Sequence, residues 1–117
     1  MKSNTGTTKK PTKEHLAHFD IAGFTYYDAA EAFENLKIGT KLQLKIDEEN
    51  KFDARAIAIY FNDFKLGFVP RSENRIVYKL LKIGFEGLET RIQRIDATAH
   101  PENQVSVIVH LLEKIEN

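Results

Sequence analysis

Between Leu88 and Thr98 the apolar residues change sides. Leu88, Thr90 and Ile92 share one parity, and Ile95 and Ala97 share the other. Successive side chains of a strand point to opposite faces, so this shift calls for an extra residue near Gln93-Arg94. A bulge there bends the strand and sharpens its twist. Bent strands belong to sheets that curl towards closure rather than lie flat.

The rest of the chain supplies short partners for that strand. His15 to Phe24 reads as a first strand with Phe19 and Ile21 on one face. Lys41 to Ile46 alternates strictly, with Leu42, Leu44 and Ile46 inward and Lys41, Gln43 and Lys45 outward. Ala56 to Phe61 and Phe64 to Val69 flank Asn62-Asp63, a length and type suited to a tight hairpin. Pro70 ends the second of these because it cannot donate to a ladder. Val105 to Leu112 carries apolar residues at both parities, which predicts cover on both faces.

Two helices are expected. Asp28 followed by Glu31 has the spacing of a capping box, with a short helix from Ala29 to Leu36 and Gly39 to close it. Ser72 is a candidate cap for a helix from Glu73 to Ile83, stopped by Gly84. Its apolar stripe is Ile76, Val77, Leu80 and Leu81; Arg75, Lys79 and Lys82 form its wet stripe. Six short strands with one or two short helices predict a mainly β domain of α+β class. The natural architecture at this size is a small, partly closed six-stranded OB-like or SH3-like β-barrel. Residues 1–14, rich in Ser, Thr, Lys and Gly, are expected to be a disordered basic leader, and residues 15–117 one domain.

Several functions find no support in the composition. There is no cysteine, hence no disulfide framework and no thiolate zinc site, and a reducing compartment such as the cytoplasm fits. No apolar run approaches the ~20 residues of a membrane span, and no apolar signal region opens the chain. His15 and His18 are three apart on an expected strand and so should face opposite ways; His100 and His110 stand alone. Neither a metal site nor a cofactor is expected. Ser3, Ser72 and Ser106 have no nucleophile motif around them, and no paired-carboxylate or phosphate-loop pattern occurs. The expectation is a binding module, not an enzyme, and a small-molecule substrate is not implied.

What remains is a set of rings and charges where strands meet loops. Tyr26, Tyr27, Phe52 and Phe68 could stack on bases or fill the core; Phe24 and Phe64 are expected to fill it. Asp53 could accept a hydrogen bond from a sugar hydroxyl or cap the backbone near Arg55 as an Asx-turn. Arg71, stiffened by Pro70 at a helix start, could hold a phosphate with the amides of Ser72 to Asn74. Lys65, Arg75 and Lys79 form a secondary basic patch. Overall basicity is lacking: residues 15–117 carry 13 Lys and Arg against 16 Asp and Glu. Nucleic-acid binding would therefore rest on a local patch and be sensitive to salt.

Three segments, in order, carry a family resemblance: Gly23-Phe24-Thr25-Tyr26-Tyr27, Asn50-Lys51-Phe52-Asp53-Ala54-Arg55-Ala56-Ile57 and Lys65-Leu66-Gly67-Phe68-Val69-Pro70-Arg71. From Phe19 to about Val109 the chain resembles the HIRAN domain, in its free-standing bacterial form. The resemblance implies a modified OB-like barrel that captures the 3′ end of single-stranded DNA in repair or fork processing. It implies that Tyr26 and Tyr27 contact the terminal nucleotides, Phe52 and Asp53 the end and its 3′-hydroxyl, and Arg71 a backbone phosphate. Phe68 holds the Gly-aromatic position. Thr25 stands where DNA-binding members can carry a basic residue, Phe52 replaces a tyrosine and Arg71 a lysine. The translocase motor of larger members is absent, so no ATPase activity carries over. The competing expectation is an adaptor barrel that binds a peptide or a DNA-processing partner without touching DNA.

Overall fold

The computed structural model describes residues 12–113, with Tyr26 described in its backbone alone. Most of the expected leader therefore lies outside the described residues. Its last two positions, Lys13 and Glu14, already belong to a strand.

Six antiparallel strands form one curved sheet: β1 (Lys13–Asp20), β2 (Lys41–Ile46), β3 (Ile57–Phe61), β4 (Phe64–Phe68), β5 (Leu88–Ile95) and β6 (Val105–Leu112). Their order across the sheet is β1-β6-β5-β2-β3-β4. Helix α1 (Ala29–Ala32) continues into a 3-10 turn, Phe33–Asn35, and α2 (Asn74–Lys82) follows β4. The sheet is OB-like but not closed. Just past β1, Ala22 and Phe68 exchange backbone hydrogen bonds of 2.9 and 2.8 Å, a lone bridge between the two ends of the sheet. It cannot extend into a ladder, because Gly23 turns the chain (φ 70°) into the 3-10 turn Phe24–Tyr26.

Parity dictates the core. Ile21, Ile57, Ile59, Leu66, Ile92, Val105, Val107 and Val109 are fully buried between the curled halves of the sheet, with Val77 of α2 among them. Phe24 joins this core and Phe64 packs against it, as expected. The β5 phase change is a bulge: the pairing with β6 slips between Ile92 and Arg94, leaving Gln93 as the extra residue. Strand β5 stops at Ile95, short of Thr98, because Asp96 accepts hydrogen bonds from the Thr98 amide and hydroxyl (3.0 and 2.6 Å) and turns the chain.

Four local expectations are corrected. Asp28 does begin α1 but forms no capping box; its Oδ2 instead accepts the Lys65 amide at 3.1 Å, tying α1 to β4. Ser72 does not cap α2. A turn closed by the Glu73 amide on the Pro70 carbonyl (2.9 Å) delays the helix to Asn74. Ile76 is half exposed rather than buried, lying beside Leu16 in a surface groove. Finally, His15 and His18 do not face opposite ways. The pairing of β1 with β6 slips between His15 and Ala17, so Leu16 is a bulge and both imidazoles reach the same face. Their ring nitrogens lie 3.1 Å apart.

The outer face of β1, β6 and β5 is held by charge-assisted bonds. Lys13 Nζ donates to Glu89 at 2.9 Å across the sheet, holding that carboxyl below its ordinary value despite burial, and Arg91 adds to the effect. Ser106 donates to Asp20, lowering its carboxyl in the same way, with Asn103 and Arg94 assisting.

Candidate functional site

A cleft of about 180 Å³ opens where the bridge at Ala22 meets the loop after β2 and the end of β4. Ala22, Phe68, Val69 and Pro70 line it together with Asn50, Phe52, Asp53, Ala56 and Arg71. It thus gathers residues from the second and third of the singled-out segments, together with Ala22, which immediately precedes the first.

The loop owes its shape to two Asx-type caps. Asn50 Oδ1 accepts the amides of Phe52 and Asp53, both at 2.9 Å. Asp53 Oδ1 accepts the Arg55 amide at 2.9 Å, so the Asx-turn reading of Asp53 holds. These caps push Phe52 outward: its ring is 86% exposed, an unusual position for so large an apolar surface. The other carboxylate oxygen, Oδ2, accepts a bond of 3.0 Å from the Asn74 amide and lies 3.7 Å from Arg71 Nε. Arg71 also donates to the Phe52 carbonyl at 2.6 Å, yet most of its side chain remains in solvent. The structure therefore brings Phe52, Asp53 and Arg71 together, with the guanidinium braced against the loop.

Asn74 is the residue that sequence reasoning missed. It is only 1% exposed, at the first turn of α2, and its amide also donates to the Arg55 carbonyl at 3.0 Å. Its own Oδ1 has no protein partner. An asparagine in a helical stretch otherwise read by its apolar period gave no sign of this long-range role.

The remaining rings sit beside the cleft. Tyr27 and Phe68 pack edge to face with centroids 5.4 Å apart. Lys65 Nζ stands over both rings, 4.6 Å from the Tyr27 centroid and 4.5 Å from that of Phe68. A bulge makes this possible: the pairing of β4 with β3 slips between Gly67 and Lys65, leaving Leu66 as the extra residue. Lys65 thus belongs with the tyrosine and phenylalanine, whereas Arg75 and Lys79 line a separate groove with Leu16 and Ile76. The side chain of Tyr26 lies outside the described residues. The expected phosphate nest at Ser72 to Asn74 is not formed as such, because the Glu73 amide is occupied by Pro70 and the Asn74 side chain is buried. Any phosphate contact here rests on Arg71.

The site offers stacking surface, one carboxylate and one guanidinium. Among the described residues no group of three His, Cys, Asp or Glu is gathered to hold a metal ion, and no helix is long and apolar enough to cross a membrane.

The model of the HIRAN domain matches residues 16–111. No curated protein matches the chain. In fold it is similar to a crystal structure of a protein from Lactobacillus plantarum, with a TM-score of 0.74 and 20% identity over 90% of this chain and 100% of that one. It is also similar to the crystal structure of the HIRAN domain of human HLTF, with a TM-score of 0.60 and 13% identity over 86% of this chain and 77% of that one.

Proposed function

Because the chain belongs to the HIRAN domain family, we propose that it is a nucleic-acid-binding module for single-stranded DNA with a free 3′-hydroxyl end, serving DNA repair or fork processing. The observation that supports this best is the convergence of Phe52, Asp53 and Arg71 on one small cleft. A flat, solvent-exposed ring such as Phe52 stacks on any base, worth ~1–3 kcal/mol per base. Beside it, the Asp53 carboxylate has lone pairs left for a sugar hydroxyl and would repel a terminal phosphate. Arg71 then takes the next phosphate from its exposed side. Tyr27 and Phe68, with Lys65 above them, extend the stacking surface; Tyr26 matches, by family position, an aromatic residue that contacts the terminal nucleotides. The module works by holding an end; the chemistry would belong to a partner.

Fluorescence anisotropy with three short DNAs tests this: a free 3′-hydroxyl strand, the same strand with a 3′-phosphate, and one with both ends in hairpins. The hydroxyl strand should bind most tightly. Asp53→Asn keeps an oxygen for the Arg55 amide but removes the charge, so it should erase the preference for hydroxyl over phosphate. A preference that survives this change removes Asp53 from end recognition.

The acid surplus of residues 15–117 favours a second reading, an adaptor that binds a peptide of a DNA-processing protein. Absence of binding to all three DNAs at low salt would turn the assignment that way.

A further inference from the structure

We propose that His15 and His18 form a chelating site for a late first-row divalent cation on the outer face of β1, away from the DNA cleft. The pair exists only because Leu16 bulges. On a regular strand, side chains three apart lie on opposite faces; here His15 Nε2 and His18 Nδ1 are 3.1 Å apart. Two nitrogens on one tetrahedral metal, each ~2.0–2.1 Å from it, are separated by a little over ~3 Å. The observed spacing is thus close to what a chelate needs. Both rings are exposed, so a small rotation can aim both lone pairs at a shared ion.

In the metal-free pair one nitrogen carries the shared proton and the other accepts it. Binding replaces that hydrogen bond by the metal, and the donor ring then carries its hydrogen on its other nitrogen. His110 is the direct cross-strand partner of His15, and its ring stands edge-on to it at 6.3 Å between centroids. It is not yet part of the chelate, and water fills the remaining positions. Imidazole donors suit copper, nickel and zinc better than magnesium or calcium. The ion would fasten the bulged register of an edge strand, since an unbulged β1 cannot present both rings to it.

Ni²⁺ is the probe. Titrated into the full chain and followed by calorimetry and by amide NMR, it should bind with perturbations centred on His15 to His18, and the unfolding temperature should rise with Ni²⁺ concentration. His15→Gln and His18→Gln should each weaken binding by about tenfold or more, because the second arm of a chelate binds intramolecularly. Each should also abolish the rise in unfolding temperature. His100→Gln, exposed and remote, should change nothing. Binding that persists undiminished in both single variants, or that is lost in His100→Gln, overturns the site. Perturbations centred elsewhere do so as well.

Discussion

Asp53 carries the argument at the scale of single residues, and Asn74 controls it. One carboxylate oxygen is taken by the Arg55 amide; the other meets the Asn74 amide at 3.0 Å and the Arg71 guanidinium at 3.7 Å. Asn74 is buried and donates also to the Arg55 carbonyl. Asn74→Ala would strip both bonds from their part-buried acceptors, costing about 1–3 kcal/mol for the two together. Urea unfolding should show that loss, and affinity for the hydroxyl-ended strand should fall with it. Unchanged stability would mean that the Asx caps alone set the loop. Phe52, Asp53 and Arg71 were each singled out in the sequence, and the family resemblance linked them, but their meeting in one cleft was not legible because the loop and the end of β4 lie far apart along the chain. Asn74 was not legible, because its partners are 19 and 21 residues away. The same holds for Asp28, whose local capping signal gave way to the amide of Lys65, 37 residues on.

Bulges decide, at the scale of elements, which side chains meet. Each inserts one residue and so turns a pair three apart from opposite faces to the same face. At Leu16 this joins His15 and His18; at Leu66 it brings the Lys65 amine over the Phe68 ring. Only the third, at Gln93, was legible, because there apolar residues on both sides recorded the change of parity. Near Leu16 the outward residues are histidines, which carry no parity signal. Next to the Leu66 bulge, Gly67 adopts φ +151°, and a Cβ there would stand 2.3 Å from the Ala22 carbonyl oxygen and 2.6 Å from Ile21 Cγ2. Gly67→Ala therefore has to break the Ala22–Phe68 bridge or move Ile21. We expect a loss of more than about 1 kcal/mol in thermal or urea unfolding, the usual penalty where the native backbone rejects a Cβ. DNA binding should weaken more than stability alone explains, since Phe68 and the cleft wall move with the bridge. A variant with full stability and full binding would show that the bridge does not shape the cleft.

Charge at the scale of the whole molecule sets how the proposed module must bind. Residues 15–117 hold more acid than base, and Arg75, Lys79 and Lys65 are not one continuous patch. Lys65 is engaged over two rings and lies 3.9 Å from Asp47, which leaves Arg71 as the mostly solvent-exposed cation of the cleft. A strand held by its end should therefore meet about one or two phosphate contacts. At ~0.7 per phosphate for single strands, log K should fall against log salt with a slope of only about −0.7 to −1.4. Arg71→Ala should flatten that slope by about 0.7, while Lys79→Ala should leave it unchanged. Such shallow dependence separates capture of an end by stacking and hydroxyl recognition from coating of a strand by a basic surface. A slope steeper than about −3 would require several more cations than the cleft lining supplies. The strand would then run along Arg75, Lys79 and Lys82, or draw on Lys2, Lys9 and Lys10 of the leader, and the cleft would cease to be the main site. Measuring the slope for the hydroxyl-ended strand and for the hairpin-blocked one distinguishes these cases, because only cleft binding loses affinity without changing slope when the end is hidden.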